Sequence, residues 1–126
     1  MRHQLEERLI VFAGNIAHLS ENLSKKPAGA IISNQILRSS IAVALNYGEA
    51  QGAESRKDFI HKLRIGLKEL RETSIALQLV KDLKLNHRNS QISNLLQESD
   101  ELISIFVSSI KTANSNLLKE QVSKKA

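Results

Sequence analysis

Apolar residues recur every three or four positions along nearly the whole of this chain, a period that suits helices and not strands. Leu5, Leu9, Phe12, Ile16, Leu19 and Leu23 alternate in steps of four and three, which puts all six on one helical stripe. The short apolar runs that might pass for strands fall inside longer helical periods. The one proline, Pro27, follows Ser24-Lys25-Lys26. Proline cannot continue helical hydrogen bonding and biases the residue before it away from helix, so a first helix over about 3–24 ends there, and Pro27 suits the first turn of the next.

That second helix spans about 28–50, with Leu37, Ile41, Ala44 and Gly48 as a thin core stripe that permits close helix approach. Gln51-Gly52-Ala53-Glu54 breaks the pattern, and Ser55 with Asp58 has the spacing of a capping box. Helix 3, about 56–85, carries Phe59, Ile60, Leu63, Leu67, Leu70 and Leu77 on one face and Ile65, Ile75, Leu79, Val80 and Leu83 on another. A second face so apolar implies a further contact surface, another subunit. Asn86-His87-Arg88-Asn89-Ser90 is a polar connection ending in an N-cap. Helix 4, about 90–118, turns Ile92, Leu95, Leu96, Leu102, Ile103, Phe106, Ile110, Ala113 and Leu117 inward, and residues 119–126 lack a stripe and read as frayed. Short connections make neighbouring helices antiparallel. The expectation is a single all-α domain over 1–126, an antiparallel up-down-up-down four-helix bundle that assembles with copies of itself.

With 126 residues, folding buries roughly two-thirds of the unfolded surface, enough for one core without staples. The absence of cysteine removes disulfides and thiolate zinc sites from consideration. Met1-Arg2-His3-Gln4-Leu5-Glu6-Glu7 has no apolar leader region, and no run approaches the ~20 apolar residues of a membrane span, so a cytoplasmic protein is expected. The glycines stand isolated at 14, 29, 48, 52 and 66, which excludes a phosphate-binding loop. No serine lies in a nucleophile elbow. Glu69-Leu70-Arg71-Glu72 lacks the histidine of a di-iron motif, and Asp58-Phe59-Ile60-His61 is a solitary carboxylate–imidazole pair. The pattern predicts no enzyme, metal or cofactor.

The formal net charge is +5, and its location is informative. Residues 56–88 hold nine Lys or Arg against four Asp or Glu, while the rest of the chain holds nine of each. Lys57, Arg64, Lys68 and Arg71 share a stripe about 60 degrees wide and ~21 Å long, enough to follow several backbone phosphates. Lys68 can pair with Glu72, and Asp58 with Lys62, at helical spacing. Three Phe, one Tyr and no Trp leave little for base-stacking platforms. A second polar group, Arg38, Asn46, Glu49, Lys68, Glu69 and Glu72, sits beside the core stripes. If helices 2 and 3 are antiparallel, Arg38 faces Glu69 and Glu72 and the group fixes helix register or a subunit seam.

Gln35-Ile36-Leu37-Arg38-Ser39-Ser40, Asn46, Glu49-Ala50, the run from Glu54 to Leu63, Leu67-Lys68-Glu69 and Arg71-Glu72-Thr73 resemble the bacterial four helix bundle proteins known as 23S rRNA intervening-sequence proteins. Ile75 and Ala76 stand where members often carry an aromatic pair, and Gly66 and Leu70 replace commoner alanines. The resemblance implies a four-helix protomer in a ring-like homopentamer, no established enzymatic activity, and genes within intervening sequences of large-subunit rRNA genes or standing free. RNA is therefore the preferred partner. Accessory proteins of diversity-generating retroelements, alike in fold, form basic pentameric barrels that bind nucleic acid and a reverse transcriptase, a link by analogy alone. The expected function is a non-enzymatic, homo-oligomeric, RNA-associated adaptor; a protein-interaction scaffold whose basic stripe merely solvates it is the alternative.

Overall fold

The computed structural model describes residues 2–86 and 89–125. These residues form four α-helices and no strand: α1 (Arg2–Glu21), α2 (Pro27–Gln51), α3 (Arg56–Asp82) and α4 (Asn89–Lys125). They pack as a four-helix bundle in which α2 lies on α3, α3 on α4 and α1 on α2, with a slighter contact between α1 and α4.

The core follows the helical period closely in α1 and α4. Leu9, Phe12, Ile16, Leu19 and Leu23 are buried and Leu5 packs against them; Ile92, Leu95, Leu102, Phe106, Ile110 and Ala113 arrive from α4. Tyr47 and Phe106 meet with ring centroids 6.0 Å apart and planes tilted by 55°, a favoured aromatic geometry. Gly66 lets this layer close, because a Cβ there would come within 2.9 Å of the Phe106 ring.

In α2 the buried stripe is rotated from the predicted one. Ile36, Ser39, Ser40, Val43, Tyr47 and Ala50 face inward, whereas Ile41 is 43% exposed and Gly48 borders open space. This helix is apolar around most of its circumference, so periodicity cannot select a face. Burying Tyr47, Ile36 and Val43 removes more apolar area from water than burying Ala44 and Gly48 would. The same breadth makes Pro27–Gln51 long and apolar enough to cross a membrane, by length and composition alone, contrary to the expectation of no such run. A core helix of a bundle passes that test equally well. On α3, Val80 belongs to the core and not to the second apolar face, of which Ile75, Leu79 and Leu83 are exposed.

Local chemistry sets the ends. Ser55 caps α3 by accepting from the Asp58 amide at 3.0 Å, as the capping-box spacing predicts. At its other end α3 stops at Asp82, not 85. Lys84 adopts a left-handed conformation (φ 54°), and the Leu85 amide donates to the Val80 carbonyl at 3.0 Å, closing a Schellman-type cap without the usual glycine. The Ser24 amide donates to the Leu85 carbonyl at 3.1 Å, tying the α1–α2 turn to the end of α3. Residues 119–125 continue α4 where fraying is predicted. Leu-Leu-Lys-Glu-Gln is a run of strong helix formers, and Arg56 donates to Glu120 at 2.7 Å. His87, Arg88 and the Ser90 side chain, where the polar connection and its cap are predicted, lie outside the described residues.

Candidate functional site

The predicted pairing across α2 and α3 forms. Arg38 reaches from α2 to α3, its Nη2 donating to Glu72 at 2.8 Å and to Glu69 at 3.1 Å, and its Nε to Gln35 at 3.4 Å. The hydrogen bond that Arg38 donates to Glu69, with the charge of that carboxylate, raises the Arg38 pKa above the ordinary value. The cluster lies on the surface: the Arg38 side chain is 51% exposed, against 16% for Glu69. The six predicted polar residues do not make one network. Asn46 turns back on its own helix, donating to the Ala42 carbonyl at 2.8 Å, and Glu49 pairs with Lys62 at 3.1 Å. A buried polar contact between α2 and α3 involves Ser39 and Thr73, whose hydroxyls lie 2.7 Å apart. Both residues stand in the motif above, but nothing in their types separates them from the many serines elsewhere.

Lys57, Arg64, Lys68 and Arg71 are all exposed along α3. The two helical pairs predicted to consume part of this charge are replaced by others. Glu72 is held by Arg38 and Lys62 by Glu49, both across the seam between α2 and α3. Among the described residues, the cations that bridge helices (Arg8 with Glu98, Arg38, Arg56 and Lys62) are paired. None of the ion pairs includes a member of the stripe.

Arg64, Lys68 and Arg71 also border a groove of about 940 Å³ whose apolar lining includes Ile31 and Ile32 of α2 and Leu67, Ile75 and Leu79 of α3. Basic stripe and second apolar face thus share one surface, which helical periodicity treats as two. Three of the four aromatic residues, Phe12, Tyr47 and Phe106, are buried, so only the partly buried Phe59 remains for stacking. Among the described residues, no three His, Cys, Asp or Glu side chains gather as metal ligands would.

The family model described as 23S rRNA-intervening sequence protein matches residues 3–108. A solved structure, a protein of unknown function from the S23 ribosomal protein family of Bacteroides thetaiotaomicron, superposes with a TM-score of 0.79 at 33% identity, covering 88% of this chain and 99% of that one. No curated protein matches the chain.

Proposed function

From the premise that this chain belongs to the 23S rRNA-intervening sequence protein family, we propose that it is a non-enzymatic, homo-oligomeric adaptor that associates with RNA. The observation that carries the RNA reading is the alignment of cations on α3. Among the described residues, Lys57, Arg64, Lys68 and Arg71 stand exposed on one stripe along ~21 Å of that helix, and the ion pairs that bridge the helices take up none of them. Buried aromatics favour backbone contact over base stacking.

The contacts Glu49–Lys62 and Arg38–Glu69, running in opposite directions along α2 and α3, support an up-down-up-down order. Exposed Ile31, Ile41, Leu45, Ile75, Leu79 and Leu83 support self-association, and a pentameric ring is the form the family resemblance favours. Repetition around such a ring would strengthen the individually modest contacts of the stripe cations that assembly leaves exposed. A bacterial, cytoplasmic setting accords with this role, and a reverse transcriptase is a partner by fold analogy only. The apolar groove gives weight to a second reading, a protein-interaction scaffold without RNA.

Salt separates the two. Binding to rRNA fragments should weaken steeply from low to physiological ionic strength, and should fall when Lys57 and Arg64 become Glu. Flat titrations at low salt would remove RNA and leave the scaffold. Light scattering that shows a monomer at micromolar concentration would remove self-association.

A further inference from the structure

The groove between α2 and α3 has a matching surface on the same chain. Its apolar lining, including Ile31, Ile75 and Leu79, is bordered by Arg64, Lys68 and Arg71 and by the paired Arg38 and Glu72, a rim of net positive charge, so it suits an occupant with apolar residues flanked by carboxylates. The outward face of α1 has that chemistry. Ile10 and Val11 are 59% and 61% exposed, and Glu7 and Glu21 are exposed on the same side of the helix. Glu7 to Glu21 spans ~21 Å of helix and Arg64 to Leu79 ~22 Å, so the two surfaces also agree in length.

Gly14 is the second observation. It lies between Val11 and Glu21 on that outward face, and a Cβ there would meet nothing within 4 Å. Glycine inside a helix costs stability relative to alanine, and no contact within the protomer calls for it here. A neighbouring surface that approaches the α1 backbone closely would use that space; Gly48 on α2 is open in the same way, so the glycine is consistent with the contact and does not by itself locate it. The exposed surfaces of α4 fit the groove less well. The outer face of α4 presents Gln97, Asp100, Ser104 and Ser108 with no large apolar residue. Its distal end, with Leu118 and Val122, carries Lys119 and Lys124, which would repel the groove's cations.

We propose that the α2–α3 groove of one copy receives the outer face of α1 from the next copy, with Glu7 and Glu21 set against Arg64, Lys68 and Arg71. The inference rests on the homo-oligomeric reading and specifies its interface. Because the two surfaces differ, the contact is head-to-tail and propagates until it closes into a ring. It also draws on three of the four cations assigned to RNA, so assembly and phosphate binding oppose one another.

The test is light scattering on the full chain, with circular dichroism as a check on folding. Wild type should assemble. Gly14→Leu should shift the assembly toward monomer while keeping helical content, since the protomer leaves that position open. Arg64→Glu with Arg71→Glu, and separately Glu7→Lys with Glu21→Lys, should each weaken assembly at least tenfold, and the four changes together should recover most of it. Assembly that persists in Gly14→Leu, or charge reversals that weaken it without mutual rescue, would overturn the inference and leave self-association through another face. A monomeric wild type would overturn both.

Discussion

The hydroxyls of Ser39 on α2 and Thr73 on α3 meet at 2.7 Å inside the bundle, with both residues buried. Thr73 donates to the Glu69 carbonyl at 3.0 Å, which leaves its oxygen to accept from Ser39. The alternative acceptor for Ser39, the Ile36 carbonyl, is at 3.3 Å. The contact therefore links the two helices that also carry the Arg38 cluster and the groove.

Removing one partner should cost more than its share. Thr73→Val leaves Ser39 with only its longer bond, and a loss of about 1 kcal/mol is expected. Ser39→Ala, which leaves Thr73 its carbonyl acceptor, should cost somewhat less. In urea denaturation the double variant should lose less than the two single losses combined. Strict additivity would mean that the hydroxyls do not interact.

Two glycines of α2 should respond with opposite sign. At Gly29 a Cβ would overlap the Ser24 carbonyl, so Gly29→Ala should destabilise the turn from α1 by roughly 1–3 kcal/mol. At Gly48 nothing lies within 4 Å, and Gly48→Ala should stabilise by about 0.5–1 kcal/mol through helix propensity. Thermal unfolding of the two variants checks the pair of signs.

Lys84 holds a left-handed conformation with φ 54°, which an L-residue with a side chain adopts at a cost of about 1 kcal/mol. Lys84→Gly should raise stability by up to about that amount while keeping the Leu85 to Val80 hydrogen bond. A drop in melting temperature would show that the lysine side chain compensates in some other way.

The Arg38 cluster should register helices more than it stabilises them. Its guanidinium is half exposed, so Arg38→Ala should produce a small loss that shrinks at high salt. Because Glu69 and Glu72 raise the Arg38 pKa, the pair's contribution is complete below the ordinary arginine range and is lost only as pH rises through the raised value. Raising pH from neutral to mildly alkaline should therefore leave the difference between wild type and variant unchanged.

If the stripe contacts phosphate, neutralising Lys57 or Arg64 to Gln should weaken RNA binding without regard to sequence. Each change should lower the slope of log affinity against log salt by about one. An unchanged slope would exclude that residue from the contact.

Helix number and most of the core were legible wherever one face alone is apolar, as in α1 from Leu5 to Leu23 and in α4 from Ile92 to Leu117. The Ser55 cap and the pairing of Arg38 with Glu69 and Glu72 were legible too, because helical spacing and a short turn bring those positions together. The core face of α2 was not, since Ile36 and Ile41 are equally apolar and only packing ranks them. Nor was the cap at Lys84, which lacks the glycine that usually marks a left-handed position.

By itself the sequence determined the helical class, through a hydrophobic period that no strand could satisfy, and the place of its excess charge, through the run from Arg56 to Arg88. Only the tertiary structure decided which cations are already spoken for. Lys68 lost its helical partner because Arg38 takes Glu72 across the α2–α3 seam. Intrahelix spacing is written in the sequence, whereas the competition among partners depends on which helix lies alongside.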